Sequence, residues 1–151
     1  MIRRLSFLLL SLTLLTSTAA FANQAGLVVD LGNRVITQCV EFDDPVVTAL
    51  ELIQLSGLDF TFDDSFTFGA AVCSVENVGC QFPQKACFCQ CPSASGGCLF
   101  FALFYLQRGE WVFAYTGESC LIVHNGDVIA LAWSDGTAPE VVTFAQICGT
   151  Q

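Results

Sequence analysis

Four of the nine cysteines in this 151-residue chain fall between Cys87 and Cys98, three of them spaced C-x-C-x-C in the stretch KACFCQCPSASGGC. No other feature restricts the fold as much. Each cysteine must end as a crosslink, a metal ligand or a free thiol, and each fate ties different segments together. The choice depends on the compartment. The chain opens MIRRLSFLLLSLTLLTSTAAFAN, where Arg3 and Arg4 form a basic start, Leu5 to Leu15 an apolar core, and Ala20 and Ala22 a small-x-small cleavage pattern. These are the parts of a secretion signal over residues 1–22, cut after Ala22. The apolar run falls short of the ~20 residues that span a bilayer, and no later stretch is long and apolar enough, so no transmembrane segment is expected after cleavage. The protein is read as secreted, extracellular or held at the cell envelope.

In an exported chain the first expectation for cysteines is disulfides. Cys39, Cys73, Cys80, Cys87, Cys89, Cys91, Cys98 and Cys148 are the candidates. A thiolate site for Zn or Cu(I) on Cys87, Cys89, Cys91 and Cys98 is the competing reading, but zinc sites use C-x2-C knuckles, and no metal is assigned. Cysteines at i and i+2 cannot easily bond each other, so each of the three reaches a different partner. The pairing stays open. The odd cysteine is read as Cys120, a free thiol buried in an apolar strand, while Cys148 is expected to pin the tail to the domain.

Two of the five basic residues, Arg3 and Arg4, lie in the leader. The remaining three face fourteen acidic residues, a net charge of −11 for residues 23–151. Nucleic acid and anionic lipid surfaces both demand clusters of Lys and Arg, so neither is an expected partner.

Residues 23–134 read as one domain and 135–151 as a tail packed on it or tethered to it. GLVVDLGNR and VITQCVEF form a hairpin turning at Gly32 to Arg34. DDPVVTALELIQLSG shifts to a helical period, with Asp44 as N-cap, Pro45 at the first helical position and Gly57 as terminator. Its polar residues Thr48, Glu51 and Gln54 make one narrow stripe, so the helix lies across a sheet. Phe60 and Phe62, then Phe66 and Phe68, suggest two short strands around Asp63-Asp64. The cysteine-rich stretch, broken by Pro83, Pro92, Gly96 and Gly97, is a loop. Two hairpins follow, turning at Gln107 to Glu110 and at Asn125-Gly126. The fold class is α+β, a β-grasp-like mixed sheet crossed by one main helix, with a disulfide-rich loop.

The segments GLVVDLGNRVITQCVEF, LIQLSGL, CSVENVGC, CFCQC and GEWVFAYTGESCLIVHNGDVIALAW resemble the DUF4430 group, secreted modules similar to the C-terminal β-grasp domain of transcobalamin and intrinsic factor. The resemblance runs from Gln24 to Trp133. It implies a β-grasp module that in the animal vitamin carriers covers one face of cobalamin, and in bacterial relatives a part near corrinoid or cobalt uptake. Where that family is Trp-rich, this chain has Phe100, Phe101 and Phe104.

His124 is the only histidine and sits beside a turn, and none of the hydrolase, zincin, Walker or dinucleotide motifs is present. Asp43-Asp44 and Asp63-Asp64 lack EF-hand spacing. The expectation is a non-enzymatic binding module with no resident cofactor and cobalamin as a possible ligand. Its partner is a small molecule or, alternatively, a cell-surface protein met by a structural or adhesive face. Trp111, Phe113 and Tyr115 alternate onto one strand face and, with Tyr105 and Trp133, make the expected ligand-binding set.

Overall fold

The first strand, β1 (Asn23–Asp30), hairpins into β2 (Val35–Phe42) through a turn in which Leu31 N–H donates to the Arg34 carbonyl at 2.9 Å. In this computed structural model, residues 22–91 and 97–149 are described; the segment expected to be a secretion signal, except Ala22, and the breakers Pro92 and Gly96 lie outside them. The remaining elements are β3 (Val46–Thr48), α1 (Ala49–Ser56), β4 (Phe60–Asp63), β5 (Ala71–Val75), β6 (Val78–Gly79), β7 (Phe100–Gln107), β8 (Glu110–Phe113), β9 (Ile122–His124), β10 (Val128–Ser134) and α2 (Phe144–Cys148).

The main sheet has the order β2-β1-β10-β7-β8, with β10 parallel to β1 and antiparallel to β7. A hairpin, a crossing helix and a last strand inserted beside the first make this the mixed sheet of a β-grasp, so the α+β class holds. Alternation along the central strands divides the core. Leu27, Val29, Leu103, Ile129 and Leu131 meet Ala49, Leu52 and Ile53 of α1 on one face. Val28, Ala102, Phe104, Val128 and Ala130 meet Val142, Phe144 and Ile147 of the tail on the other. Burial on both faces explains why GLVVD and VIALAW read as continuous apolar runs. The tail helix comes so close to β1 that a Cβ on Gly26 would stand 2.8 Å from the Ile147 side chain. Four disulfides cross-brace the chain: Cys39–Cys148, Cys73–Cys87, Cys80–Cys89 and Cys91–Cys98.

Three local expectations need correction. The helix starts at Ala49, not Pro45, because residues 46–48 pair with β9 instead. Its N-cap is Thr48, in a capping box with Glu51, while Asp44 caps nothing. Phe66 and Phe68 are not a strand: β4 pairs with β5, and the two rings stack at 5.0 Å in the loop between them. The Asn125-Gly126 turn closes no hairpin, since both edges of β10 are taken by β1 and β7. That turn docks on the start of β1 instead, Asn125 Oδ1 accepting from Gln24 N–H at 2.8 Å. By contrast, the Gln107 to Glu110 hairpin forms as read, with Arg108 and Gly109 both at positive φ.

Cys39–Cys148 joins residues 109 positions apart, nearly the whole described chain. The double variant Cys39→Ser, Cys148→Ser is expected to lose about 3–5 kcal/mol of unfolding free energy in denaturant melts. A loss under about 1 kcal/mol would mean that α2 holds itself on the sheet without the crosslink.

Candidate functional site

Strand β8 is shorter than its neighbour β7, and the cleft of interest opens where it stops. Ala114 N–H makes a last bond to the Leu103 carbonyl at 2.9 Å, and the chain then leaves the sheet. It is caught by the loop after β4: Gly117 N–H donates to Phe68 O at 2.7 Å, Glu118 N–H to Ala70 O at 2.8 Å, and Ala70 N–H to Ser119 Oγ at 2.9 Å. The backbones touch at this crossing. A Cβ on Gly117 would collide with the Ala70 carbonyl oxygen and lie 2.6 Å from the Gly69 carbonyl carbon, so the position demands glycine. The same segment caps α1, its Glu118 and Leu121 carbonyls accepting from Leu50 and Ala49 N–H at 2.9 and 2.8 Å.

The opposite wall comes from the cysteine-rich loop. Cys87 is bonded to Cys73 inside β5, both buried, which holds the neighbouring Phe88 against Phe66 at 5.4 Å and Phe100 at 6.1 Å. Cys89 leaves in another direction to Cys80, and Cys91 to Cys98, so each member of the C-x-C-x-C run has its own partner. Between the walls lies a cleft of about 210 Å³. Phe101, Leu103, Ala71 and Glu118 are its buried floor; Phe68, 44% exposed, and Tyr115, 90% exposed, stand at its rim.

Glu118 is the one acidic residue of this lining, and only 3% of its surface is exposed. Burial pushes its carboxyl up to about 7, while the N–H groups of Glu118 itself and Val72 pull the other way.

The five aromatic residues singled out from the sequence do not form one surface. Tyr105 and Trp133 pack on the α1 face of the sheet, Trp133 at 5.2 Å from Phe101. Trp111 lies on the other face under the tail, its indole N–H donating to Glu140 O at 3.3 Å. Only Phe113 and Tyr115, 5.1 Å apart, reach the cleft. Phe68, Phe88, Phe100, Phe101 and Glu118 also line it and stand outside the expected ligand-binding set; the Phe richness of the chain is the one signal the sequence offers for them. Cys120 is the free cysteine, but it is exposed in the turn before β9 rather than buried in a strand. His124 is exposed too, its Nδ1 3.3 Å from Asp127 in the Asn125-Gly126 turn. Among the described residues no three His, Cys, Asp or Glu side chains converge on a common point that would hold a metal ion.

No protein-family model matches the chain, and no curated protein matches it.

The folded protein holds the Glu118 proton more tightly than an unfolded chain, where the ordinary value is 4.5. The stabilisation this gives is complete below pH 4.5 and is lost as pH climbs through about 7. Melts of wild type and Glu118→Gln should therefore diverge over that window, the variant gaining relative stability of up to about 3 kcal/mol by about pH 8. A difference that stays flat with pH would show the carboxyl to be hydrated.

Proposed function

We propose that the protein is a secreted, non-catalytic binding module that takes a small, largely apolar ligand into the Phe-lined cleft. The observation that carries this reading is an open apolar concavity with a single ionisable group on its buried floor. Apolar linings with few polar groups are the ordinary form of small-ligand sites. The supports of the cleft are costly to maintain, namely a glycine-only crossing and a buried disulfide, while its rim exposes large aromatic surface. Four disulfides fit an oxidising, extracellular setting. Among the described residues no helix is long and apolar enough to cross a membrane.

The resemblance to the transcobalamin-like modules extends the reading to a corrinoid. At about 210 Å³ the cleft is below the ~300–1,000 Å³ of drug-sized sites. It would accept one edge or substituent of so large a ligand, the rest lying over the rim. The adhesive alternative draws on Tyr115, whose exposed ring would serve equally well against a cell-surface protein.

Titration with the neutral fluorophore N-phenylnaphthylamine tests the cleft, with cobalamin titrated in parallel. Saturable binding is expected, weakened about tenfold by Phe68→Ala or Phe113→Ala. Binding unaffected by either substitution, or none at all, overturns the reading. Dye binding without cobalamin binding removes the corrinoid alone.

A further inference from the structure

Six aromatic residues, Phe68, Phe88, Phe100, Phe101, Phe113 and Tyr115, line the cleft, and Glu118 is its one acidic residue. An uncompensated carboxylate is costly to bury, and the usual remedy is a cationic side chain beside it. Among the described residues none is supplied. Of the three basic residues after the leader, Arg34 pairs with Glu76 at 3.9 Å, Arg108 sits in the β7–β8 turn, and Lys85 is exposed in the cysteine-rich loop. None of them lines the cleft. Glu118 has only backbone N–H groups to stabilise its charge.

We infer that the cleft is a receptor for a small organic cation, an alkylammonium head held against aromatic faces with the Glu118 carboxylate as its counter-ion. This rests on the cleft being a ligand site, as proposed above, and names the chemistry of what enters. Aromatic faces attract a cation through their quadrupole, worth up to about 2 kcal/mol when the site is desolvated. A methylated ammonium sheds water more readily than a primary one and presents apolar surface to the rings. The charge of −11 over residues 23–151 raises the local concentration of any cation. A neutral apolar ligand would leave the carboxylate without an opposite charge and an anionic one would be repelled by it.

The inference fixes a pH dependence. The elements packed against Glu118 bring few other ionisable groups. Glu51, in the first turn of α1, is exposed and bound to Thr48; Asp64 lies at the start of the loop before β5; Cys120 and Tyr115 flank Glu118 in the chain. Residues 71–75 and 100–103 present none, as Cys73 is in a disulfide. Cation affinity follows ionisation of Glu118, so it rises as pH increases through about 7.

Calorimetric titration of the oxidised protein with choline and with its neutral tert-butyl isostere decides the matter. Choline should bind more tightly than the isostere at about pH 8.5 and lose about tenfold at about pH 6, where such a group is about nine-tenths protonated. The isostere should be indifferent to pH. Glu118→Gln should remove both the preference and the pH dependence. Phe68→Leu, at an exposed position that keeps apolar bulk, should weaken choline several-fold and spare the isostere, which guards against misfolding of the Glu118 variant. If the two ligands bind alike at every pH, the cationic inference fails and the apolar cleft stands. If neither binds, and N-phenylnaphthylamine does not bind either, both fall.

Discussion

The crosslink between Cys73 and Cys87 is the constraint on which the rest of the site depends. Residues 80–98 make few backbone hydrogen bonds of their own and contain no strand or helix among their described residues. Such a segment cannot hold a shape by secondary structure. It is fixed because Cys87 is buried against β5, all five residues of which are buried in turn. With that anchor in place Phe88 has one location, over the start of β7, and the cleft has its second wall. Closing a loop of this length is worth about 3 kcal/mol in the chain-entropy account, enough to matter beside the 5–15 kcal/mol of a whole domain.

The sheet supplies the opposite, rigid half. Its central strands are covered on both faces, by α1 on one and by the tail on the other, so no strand of the middle can shift without disturbing two packed layers. The proposed site lies where that order ends: at the edge strand β8, cut short after Phe113, and at the segment that leaves it. The segment from Gly117 to Leu121 serves two ends at once, since the Glu118 and Leu121 carbonyls cap α1 while Gly117 and Glu118 line the cleft. Glu118 itself belongs to both, its carbonyl bonded to Leu50 N–H and its side chain buried beside the cleft. A buried carboxyl with no cationic partner among the described residues weakens the fold above neutral pH. The cost is intelligible if a ligand returns the missing charge.

Much of the architecture was legible in the sequence. The first hairpin, the helix with Gly57 as its end and the β7–β8 hairpin follow from short-range rules that tertiary packing left alone. Where the reading went wrong, long-range pairing had overridden a local signal. Residues 46–48 had a helical start, yet β9 claims them as a strand; Asn125-Gly126 had the strongest hairpin signature, yet its second strand had two better partners. The tail helix was missed although Thr143 and Gln146 carry a capping-box spacing, TFAQ, that could have marked it.

The site was less legible for a different reason. Trp111, Phe113 and Tyr115 do alternate, but the strand ends at Phe113, and the tail covers Trp111. Which aromatic rings face a cavity depends on a disulfide pairing that spacing cannot give. The burial of Glu118 depends on a backbone crossing at Gly69 and Gly117 that no local pattern announces. The pairing itself is the most direct test of the whole account. Proteolysis of the unreduced protein followed by mass spectrometry of the linked peptides should recover Cys73 joined to Cys87 and Cys80 joined to Cys89, with Cys120 alone alkylated as a free thiol. Recovery of Cys87 on any other partner, or of Cys87, Cys89, Cys91 and Cys98 as thiols retaining zinc or copper, would dismantle the second wall of the cleft and contradict the account.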